Sequence, residues 1–251
     1  MNHNLLILGG TTEASHLARA VAEAGLNATL SYAGRVERPK PQPVAHRVGG
    51  FGGTAGLEAY LRDNRITHVV DATHPFAAQM SRHAVIACAA SGVPLIALTR
   101  PVWQQQPGDS WRSARDITSA IDSLALPPRR ILLAIGRQNL ESFAAQPQHH
   151  YVLRLVDPPV TPPPLPSHTF IVSRGPFTVA DDTALMLDHG IELVVAKNAG
   201  GDGASAKLEA ARNLGLPVVM IARPALPPRN EVYSVNAVLQ WLGHAGADLG
   251  V

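Results

Sequence analysis

Short apolar runs alternate with segments of helical spacing along most of the chain. Residues 5–8 (Leu-Leu-Ile-Leu) precede a glycine turn, and residues 13–24 then place apolar side chains three and four positions apart before Gly25. The first pattern is typical of a buried strand and the second of an amphipathic helix with a glycine cap. Further strands are predicted at 27–33, at 45–48, from residue 68 onward and at 94–98. Helices are predicted at 54–63 and 76–91. This alternation predicts an α/β fold with mainly parallel sheets.

The second half of the chain repeats the first after the pattern lapses at residues 102–113. Residues 91–101 (Ser-Gly-Val-Pro-Leu-Ile-Ala-Leu-Thr-Arg-Pro) return at 214–224 as Leu-Gly-Leu-Pro-Val-Val-Met-Ile-Ala-Arg-Pro, an offset of 123, and Gly136 matches Gly9 at an offset of 127. Similar offsets indicate two copies of one architecture. We therefore predict two α/β domains related as an internal repeat, at residues 1–105 and 106–251.

The second copy contains the same kinds of element as the first. Its strands are predicted at 131–135, 151–156, 168–173 and 192–196, and its helices near 138–145, 179–189 and 204–214. A proline-rich loop occupies residues 157–166, and Ser234 is expected to cap a last helix that ends near Leu242.

Composition narrows the function. The 251 residues carry a formal net charge of +2 and a single cysteine, Cys88. A charge this close to zero argues against a nucleic-acid partner, and one cysteine excludes an internal disulfide. The N-terminus lacks the basic region of a signal peptide, and no apolar stretch is long enough to span a membrane. We expect a cytoplasmic monomer that binds a small molecule and no membrane.

The turn after the first strand is the first candidate binding site. Gly9, Thr11 and Ala14 occupy the three small-residue positions of the dinucleotide-binding fingerprint G-x-G-x-x-G/A, whose central glycine is replaced. The N–H groups of a first helical turn and the positive end of the helix dipole attract a phosphate. The predicted phosphate-binding residues are Gly9, Gly10, Thr11, Thr12 and Glu13.

The end of the second strand bears on the choice of cofactor. An NAD-binding fold places an acid there, whereas this chain has Ser31-Tyr32-Ala33-Gly34-Arg35. A guanidinium can bind the additional phosphate of NADP, so Ser31 and Arg35 are predicted to contact that cofactor. The alternative is that Arg35 is a solvated loop residue.

Polar residues also follow the strands from 68 and at 94–98. Ligands of open α/β sheets lie beyond the carboxyl ends of strands, so Thr73 and Thr99 are predicted to contact the cofactor. His74 is a candidate acid or base, and a structural histidine with a hydrogen-bonded ring is the alternative.

Cationic residues follow four strands of the second half: Arg137, Arg174, Lys197 and Arg223. If those strands are parallel, the four residues share one edge and can bind several carboxylates; the alternative is four unrelated surface charges. The predicted substrate-binding residues are Arg137, Gln138, Ser173, Arg174, Gly175, Lys197, Asn198 and Arg223. We predict an active site in the cleft between the two domains.

Four segments together resemble the precorrin-6A reductase family of corrin biosynthesis. They are Leu-Gly-Gly-Thr-Thr-Glu-Ala at 8–14, Asp-Ala-Thr-His-Pro-Phe-Ala at 71–77, Ser-Arg-Gly-Pro-Phe at 173–177 and Lys-Asn-Ala-Gly-Gly at 197–201. The resemblance implies two Rossmann-like domains and hydride transfer from NADPH to precorrin-6A, or to its cobalt form, giving precorrin-6B. Ala199 departs from the serine expected in that family.

The resemblance also suggests roles at the reacting end. Thr73 and His74 would border the nicotinamide, and Lys197 would bind a carboxylate or stabilise developing charge. Lys197 could supply a proton only if burial lowers its pKa, and solvent is the other source.

Other classes of function fit less well. A short-chain dehydrogenase needs a Tyr-x-x-x-Lys pair, which none of the four tyrosines forms. A metal site is not expected, because the 11 histidines include no H-x-x-x-H pair. A non-catalytic NADP-binding sensor or a two-lobed ligand-binding protein remains the alternative.

Overall fold

The computed structural model describes residues 3–33, 41–155, 161–173, 175 and 177–245. The chain divides into two compact units: Met1–Arg100 together with Ala225–Val251, and Pro101–Pro224. The predicted domains, 1–105 and 106–251, are therefore wrong for the C-terminal segment. Its strand and helix complete the sheet and the core of the first unit.

The first unit contains strands β1 to β5 and helices α1 to α3 before the chain leaves it. In chain order they are β1 (Asn4–Leu8), α1 (Thr12–Glu23), β2 (Asn27–Tyr32), β3 (Ala45–Val48), α2 (Gly53–Asp63), β4 (His68–Asp71), α3 (Ala78–Ser91) and β5 (Leu95–Leu98).

The second unit and the returning segment contain the remaining elements. They are β6 (Ser110–Ala114), α4 (Ile117–Asp122), β7 (Arg130–Ala134), β8 (His150–Leu155), β9 (His168–Val172), α5 (Val179–Asp188), β10 (Leu193–Lys197), α6 (Ala206–Asn213), β11 (Pro217–Ile221), β12 (Glu231–Val232) and α7 (Val235–Ala245).

Within the described residues each sheet has six strands, and neighbouring strands in both sheets are parallel. The order is β12-β5-β4-β1-β2-β3 in the first sheet and β6-β11-β10-β7-β8-β9 in the second. Each sheet thus has the strand order of a doubly wound dinucleotide-binding fold, with β7 in the place of β1. The predicted α/β class and internal repeat are confirmed.

The sixth strand of each sheet comes from an unexpected part of the chain. In a simple repeat β6 would follow β5 into the first sheet, and β12 would follow β11 into the second. Instead β6 pairs with β11, and β12 pairs with β5. This exchange explains why the sequence repeat places the C-terminal segment in the wrong domain.

Both faces of the first sheet are covered by helices, which is why β1 is apolar at every inner position. Leu5 and Ile7 pack in a core cluster that also contains Leu17 of α1 and Val238 of α7. Leu6 and Leu8 point the other way, into a cluster with residues of α2 and α3. The C-terminal helix α7 therefore completes the core against which β1 and α1 pack.

Three other expectations need correction. The helix expected near 138–145 is only a 3-10 turn, Glu141–Ala145, so the turn after β7 does not open an α-helix. The helix expected from Phe76 begins at Ala78. β6 was missed, because it lies in the segment where the apolar pattern lapses. No helix in the described part of the chain is long and apolar enough to cross a membrane.

Candidate active site

The turn between β1 and α1 requires glycine at two successive positions. A Cβ on Gly9 would lie 2.6 Å from Cδ1 of Leu30, and Gly10 has a φ of +110°. The first position is closed by the packing of the turn against β2, and the second has a backbone conformation that disfavours other residues. The chain therefore passes close to β2 and presents backbone at this turn.

Thr11 joins this turn to the end of β4. Its Oγ1 accepts a hydrogen bond from the N–H of Ala14 at 3.1 Å, which caps α1, and donates to the carbonyl of Ala72 at 2.7 Å. β1 lies between β2 and β4 in the sheet, so the two turns meet where the strand order reverses. Ligands of such sheets bind at this switch point.

Glu13 forms an ion pair that the sequence did not reveal. Nη2 of Arg100 donates to its Oε2 at 2.7 Å. Burial raises the pKa of Glu13, but the hydrogen bond from Arg100 and other polar contacts outweigh burial and hold the pKa below its usual value. A carboxylate repels a phosphate, so any phosphate contact of Glu13 falls to its backbone N–H.

Ser31 lies near the end of β2, as predicted. Its hydroxyl contacts Arg47, a residue that the sequence analysis did not single out. Nη1 of Arg47 donates to Ser31 Oγ at 2.7 Å and to the Gly49 carbonyl at 3.0 Å. The same guanidinium stacks 4.0 Å above the ring of Phe51. Ser31 is buried, and its hydroxyl oxygen accepts the hydrogen bond from Arg47. Arg35, the predicted phosphate ligand, lies outside the described residues.

The turn after β4 is organised by Asp71. Its carboxylate accepts hydrogen bonds from Thr73, Ser81 and Arg229, and only 2% of the residue is exposed. His74 is exposed, and its Nδ1 accepts from the N–H of Phe76 at 3.2 Å. A ring nitrogen that accepts from a backbone N–H carries no proton itself, so the proton of the neutral ring is on Nε2.

Thr99, which was predicted to contact the cofactor, is buried. It follows β5 and is 6% exposed, and its N–H donates to the carbonyl of Val232 in β12 at 2.9 Å. The structure therefore shows it packed at the junction of these two strands, with little surface left for a ligand.

The predicted cationic edge of the second sheet follows from its parallel strands. Lys197 ends β10 and is half-buried, Arg223 follows β11, and Arg137 follows β7. Because the carboxyl ends of parallel strands lie on one edge, these three residues share it. Ser173, which follows β9, and Gly175 are described, whereas Arg174 lies outside the described residues.

Two of the predicted substrate ligands have hydrogen bonds within the protein. Nε and Nη2 of Arg223 donate to the carbonyls of Asn198 and Ala199 at 3.0 and 2.9 Å. The Asn198 side chain accepts from the N–H of Trp103 at 2.8 Å and donates to its carbonyl at 3.0 Å. Arg223 and Asn198 therefore hold the shape of the turn that follows Lys197.

A cavity of about 540 Å³ opens beside β7 and β8. It combines polar groups with an apolar wall of leucine and proline. Its lining residues are Arg137, Gln138, Asn139, Leu140, Glu141, Leu155, Thr161, Pro162, Pro163 and Pro164. Two of the predicted substrate-binding residues, Arg137 and Gln138, are thereby brought into one concave surface.

A buried charged cluster lies between α5 and α6. Arg154 pairs with Asp182 and stacks 3.9 Å from the ring of Phe177. Lys207 is 4% exposed; its Nζ donates to the carbonyl of Ala204. Burial, reinforced by the positive charge of Arg154, lowers the pKa of Lys207 to about 7. This lysine lies in a cluster that the sequence analysis did not identify.

The sequence matches the model of one protein family. The family model described as precorrin-6x reductase CbiJ/CobK matches residues 4–243. The chain belongs to the precorrin-6x reductase family. This confirms the resemblance inferred from the four sequence segments.

Individual members of the precorrin-6x reductase family match over nearly the whole chain. Precorrin-6A reductase of Rhodobacter capsulatus is 55% identical over 97% of both chains. That of Rhodococcus erythropolis is 46% identical over 95% of this chain and 97% of its own. Cobalt-precorrin-6A reductase of Priestia megaterium is 28% identical over 96% of this chain and 97% of its own. The solved structure of CobK precorrin-6A reductase covers 97% of both chains with a TM-score of 0.92 and 54% identity.

A reductase needs a source of electrons, and the first unit fits a nucleotide cofactor. A Cβ at Gly9 would lie 2.6 Å from Cδ1 of Leu30, so glycine lets the chain pass close to β2, and the φ of +110° at Gly10 favours glycine at the next position. The capped N-terminus of α1 directs its dipole toward the same turn. These are the features that a phosphate-binding turn requires.

Proposed function

We propose that this protein reduces precorrin-6A to precorrin-6B with NADPH as the hydride donor. The observation that carries the proposal is the 55% identity, across 97% of both chains, to a protein named precorrin-6A reductase. The relatives named for the cobalt form are 28% identical or less. This difference favours the cobalt-free substrate.

The first unit binds the cofactor in this proposal. Backbone N–H groups from Gly10 to Glu13 hold the pyrophosphate at the N-terminus of α1. Gly9, whose N–H donates to the Ser31 carbonyl at 2.9 Å, lets the chain pass close to β2 at this turn. Arg35 binds the 2′-phosphate of the adenosine. Thr73 and His74 border the nicotinamide, which supplies a hydride when the reduced cofactor is bound. The protein contributes position and charge.

The second unit binds the substrate through its cationic edge. Precorrin-6A carries several carboxylates around an apolar macrocycle. Arg137 pairs with one carboxylate, while the leucine and proline wall of the adjoining cavity contacts the ring system. Lys197, Arg174 and Arg223 bind further carboxylates. Gln138, Ser173 and Gly175 complete the contact surface.

Reduction adds a hydride to one carbon of a double bond and a proton to its neighbour, and the cofactor is oxidised to NADP+. Lys197 and His74 are the proposed catalytic side chains. Both are titratable; Lys197 ends β10, and His74 follows β4. Lys197 stabilises negative charge that develops on the macrocycle as the hydride arrives. The proton comes from one of these side chains or from solvent.

The test is oxidation of NADPH, followed by its own absorbance, with and without precorrin-6A. Oxidation that requires the tetrapyrrole supports the reductase. Binding of NADPH without oxidation in the presence of the tetrapyrrole would leave the NADP-binding sensor as the better function.

Cofactor and substrate assignments are tested separately by two substitutions. Arg35→Ala should weaken NADPH much more than NADH, and equal losses would remove its phosphate role. Lys197→Ala should lower turnover or substrate affinity while NADPH affinity stays close to that of the wild type. A loss confined to NADPH binding would contradict the assignment of Lys197 to the substrate.

A further inference from the structure

A buried ion pair supports the turn after β4. Nη1 of Arg229 donates to Oδ2 of Asp71 at 2.5 Å, and the two side chains are 8% and 1% exposed. Removing two charges from water costs free energy that their attraction does not reliably return. A buried pair is therefore weak evidence of a purely stabilising role, and its other contacts indicate what it does.

The same carboxylate fixes two hydroxyl groups. Thr73 donates to Asp71 Oδ1 through its N–H at 3.1 Å and through Oγ1 at 2.7 Å, and Ser81 Oγ donates to Oδ2 at 2.6 Å. A carboxylate only accepts hydrogen bonds, so both hydroxyl protons are used by it. The half-buried Thr73 hydroxyl therefore offers a ligand lone pairs and no proton.

Arg229 reaches this place from the returning C-terminal segment. The neighbouring Asn230 carbonyl accepts from the N–H of Ala97 at 2.8 Å, where β12 joins β5. Arg229 Nε also donates to Glu231 at 3.2 Å. The pairing of β12 thus fixes the arginine, the arginine fixes Asp71, and Asp71 fixes Thr73.

We propose that Asp71 and Arg229 are positioning residues that hold Thr73 Oγ1 as the hydrogen-bond acceptor for the carboxamide NH₂ group of a nicotinamide cofactor. This inference rests on the proposed function, because it takes the ligand of the β4 turn to be that cofactor. The carboxamide NH₂ is the hydrogen-bond donor of the nicotinamide ring system. An acceptor without a competing proton matches it, and the bond from Thr11 to the Ala72 carbonyl keeps this turn beside the phosphate-binding turn.

Three probes separate the nicotinamide from the rest of the cofactor. NADP+ carries the carboxamide, its 3-acetylpyridine analogue replaces the NH₂ donor with a methyl group, and 2′-phospho-ADP-ribose lacks the ring altogether. Dissociation constants for each probe are measured by calorimetry on the wild type and on Thr73→Val, Arg229→Gln and Asp71→Asn. Arg229→Lys retains the charge, and Arg62→Gln, in the exposed Arg62–Asp63 pair, is the matched control.

The wild type should prefer NADP+ to the acetylpyridine analogue by roughly fivefold to tenfold, the value of one hydrogen bond. Thr73→Val, Arg229→Gln and Asp71→Asn should lose this preference and weaken NADP+ by the same factor. Their affinity for 2′-phospho-ADP-ribose should stay within about twofold of the wild type. Arg229→Lys should restore part of the preference, and Arg62→Gln should change nothing.

Several results would overturn the inference. One is a preference for NADP+ over the acetylpyridine analogue that survives Thr73→Val. Another is an equal loss of affinity for all three probes in Arg229→Gln. Thr73→Val removes no charge from the interior, so it decides the matter even if the charge variants fail to fold. A wild type that binds none of the probes would refute the cofactor of the proposed function itself, which is a distinguishable outcome.

Discussion

Lys207 should make the stability of the protein depend on pH in a predictable direction. Burial lowers its pKa from 10.5 to about 7, and the positive charge of Arg154 acts in the same sense while Asp182 opposes it. Between these two pKa values the unfolded chain binds a proton that the folded protein does not. The free energy of unfolding should therefore rise as the pH increases through this window.

The size of the effect follows from the pKa difference. Each pH unit inside this window raises the free energy of unfolding by about 1.4 kcal/mol. Because Lys207 is only half-deprotonated in the folded protein at pH 7, the total rise between pH 7 and pH 9 is about 2 kcal/mol. The measurement should stop near pH 9. Burial raises the pKa of Cys88 from 9.0 to about 12, which makes the folded state less favourable at higher pH.

The assay is urea denaturation at pH 7, 8 and 9 of the wild type and of Lys207→Met, which replaces the ammonium with an apolar group of similar length. The difference in unfolding free energy between the two proteins should change by about 2 kcal/mol across the range, in favour of the wild type at high pH. Arg212→Gln is the control: Arg212 also lies on α6, and the substitution removes its ion pair with Asp109 without removing a group that titrates between pH 7 and pH 9. Parallel pH profiles for wild type and Lys207→Met would refute the reasoning.

Three further substitutions test the two turns. Gly9→Ala should destabilise the protein by about 1–3 kcal/mol and weaken NADP+, because its Cβ would lie 2.6 Å from a methyl group of Leu30; unchanged thermal unfolding would contradict this packing. Thr11→Val should lower the free energy of unfolding in urea denaturation by about 1–3 kcal/mol through loss of the cap and of the half-buried hydrogen bond to the Ala72 carbonyl, whereas Thr11→Ser should retain most of the stability. Gly200→Ala should reduce turnover, because its Cβ would lie 2.1 Å from the Pro101 carbonyl at a φ of +71°, and wild-type kinetics would show that the turn can shift.

The apolar pattern predicted most of the regular structure because parallel strands buried on both faces consist of continuous apolar residues. β1 and β10 are of this kind. β6 (Ser-Trp-Arg-Ser-Ala) is an edge strand with three exposed residues, so it carries no such pattern. β12 has only two residues, too few for any periodicity. The two strands that exchange sheets were thus the two that sequence patterns could not reveal.

The strand ends identified the candidate site, but the partners of its residues could not be predicted. Glycine and threonine at the β1 turn follow a motif with a local mechanism. Arg229 reaches Asp71 across 158 positions, and nothing near either residue in the sequence indicates the pair. Arg223 and Asn198 have the charge and polarity of ligands, yet the structure shows them holding a turn. Only three-dimensional contacts distinguish these uses.

The exchange of edge strands has a consequence for biosynthesis. Chain synthesis proceeds at about 5–20 residues per second, so on the order of ten seconds pass between β5 and β12 leaving the ribosome. Throughout that interval β5 is an unpaired sheet edge and Asp71 lacks its cation, while Pro101–Pro224 is synthesised and is complete just before β12. The nascent chain should therefore complete its inserted unit before the turn after β4 gains the support of Arg229. Chaperone contact and aggregation should concentrate at the open edge of β5.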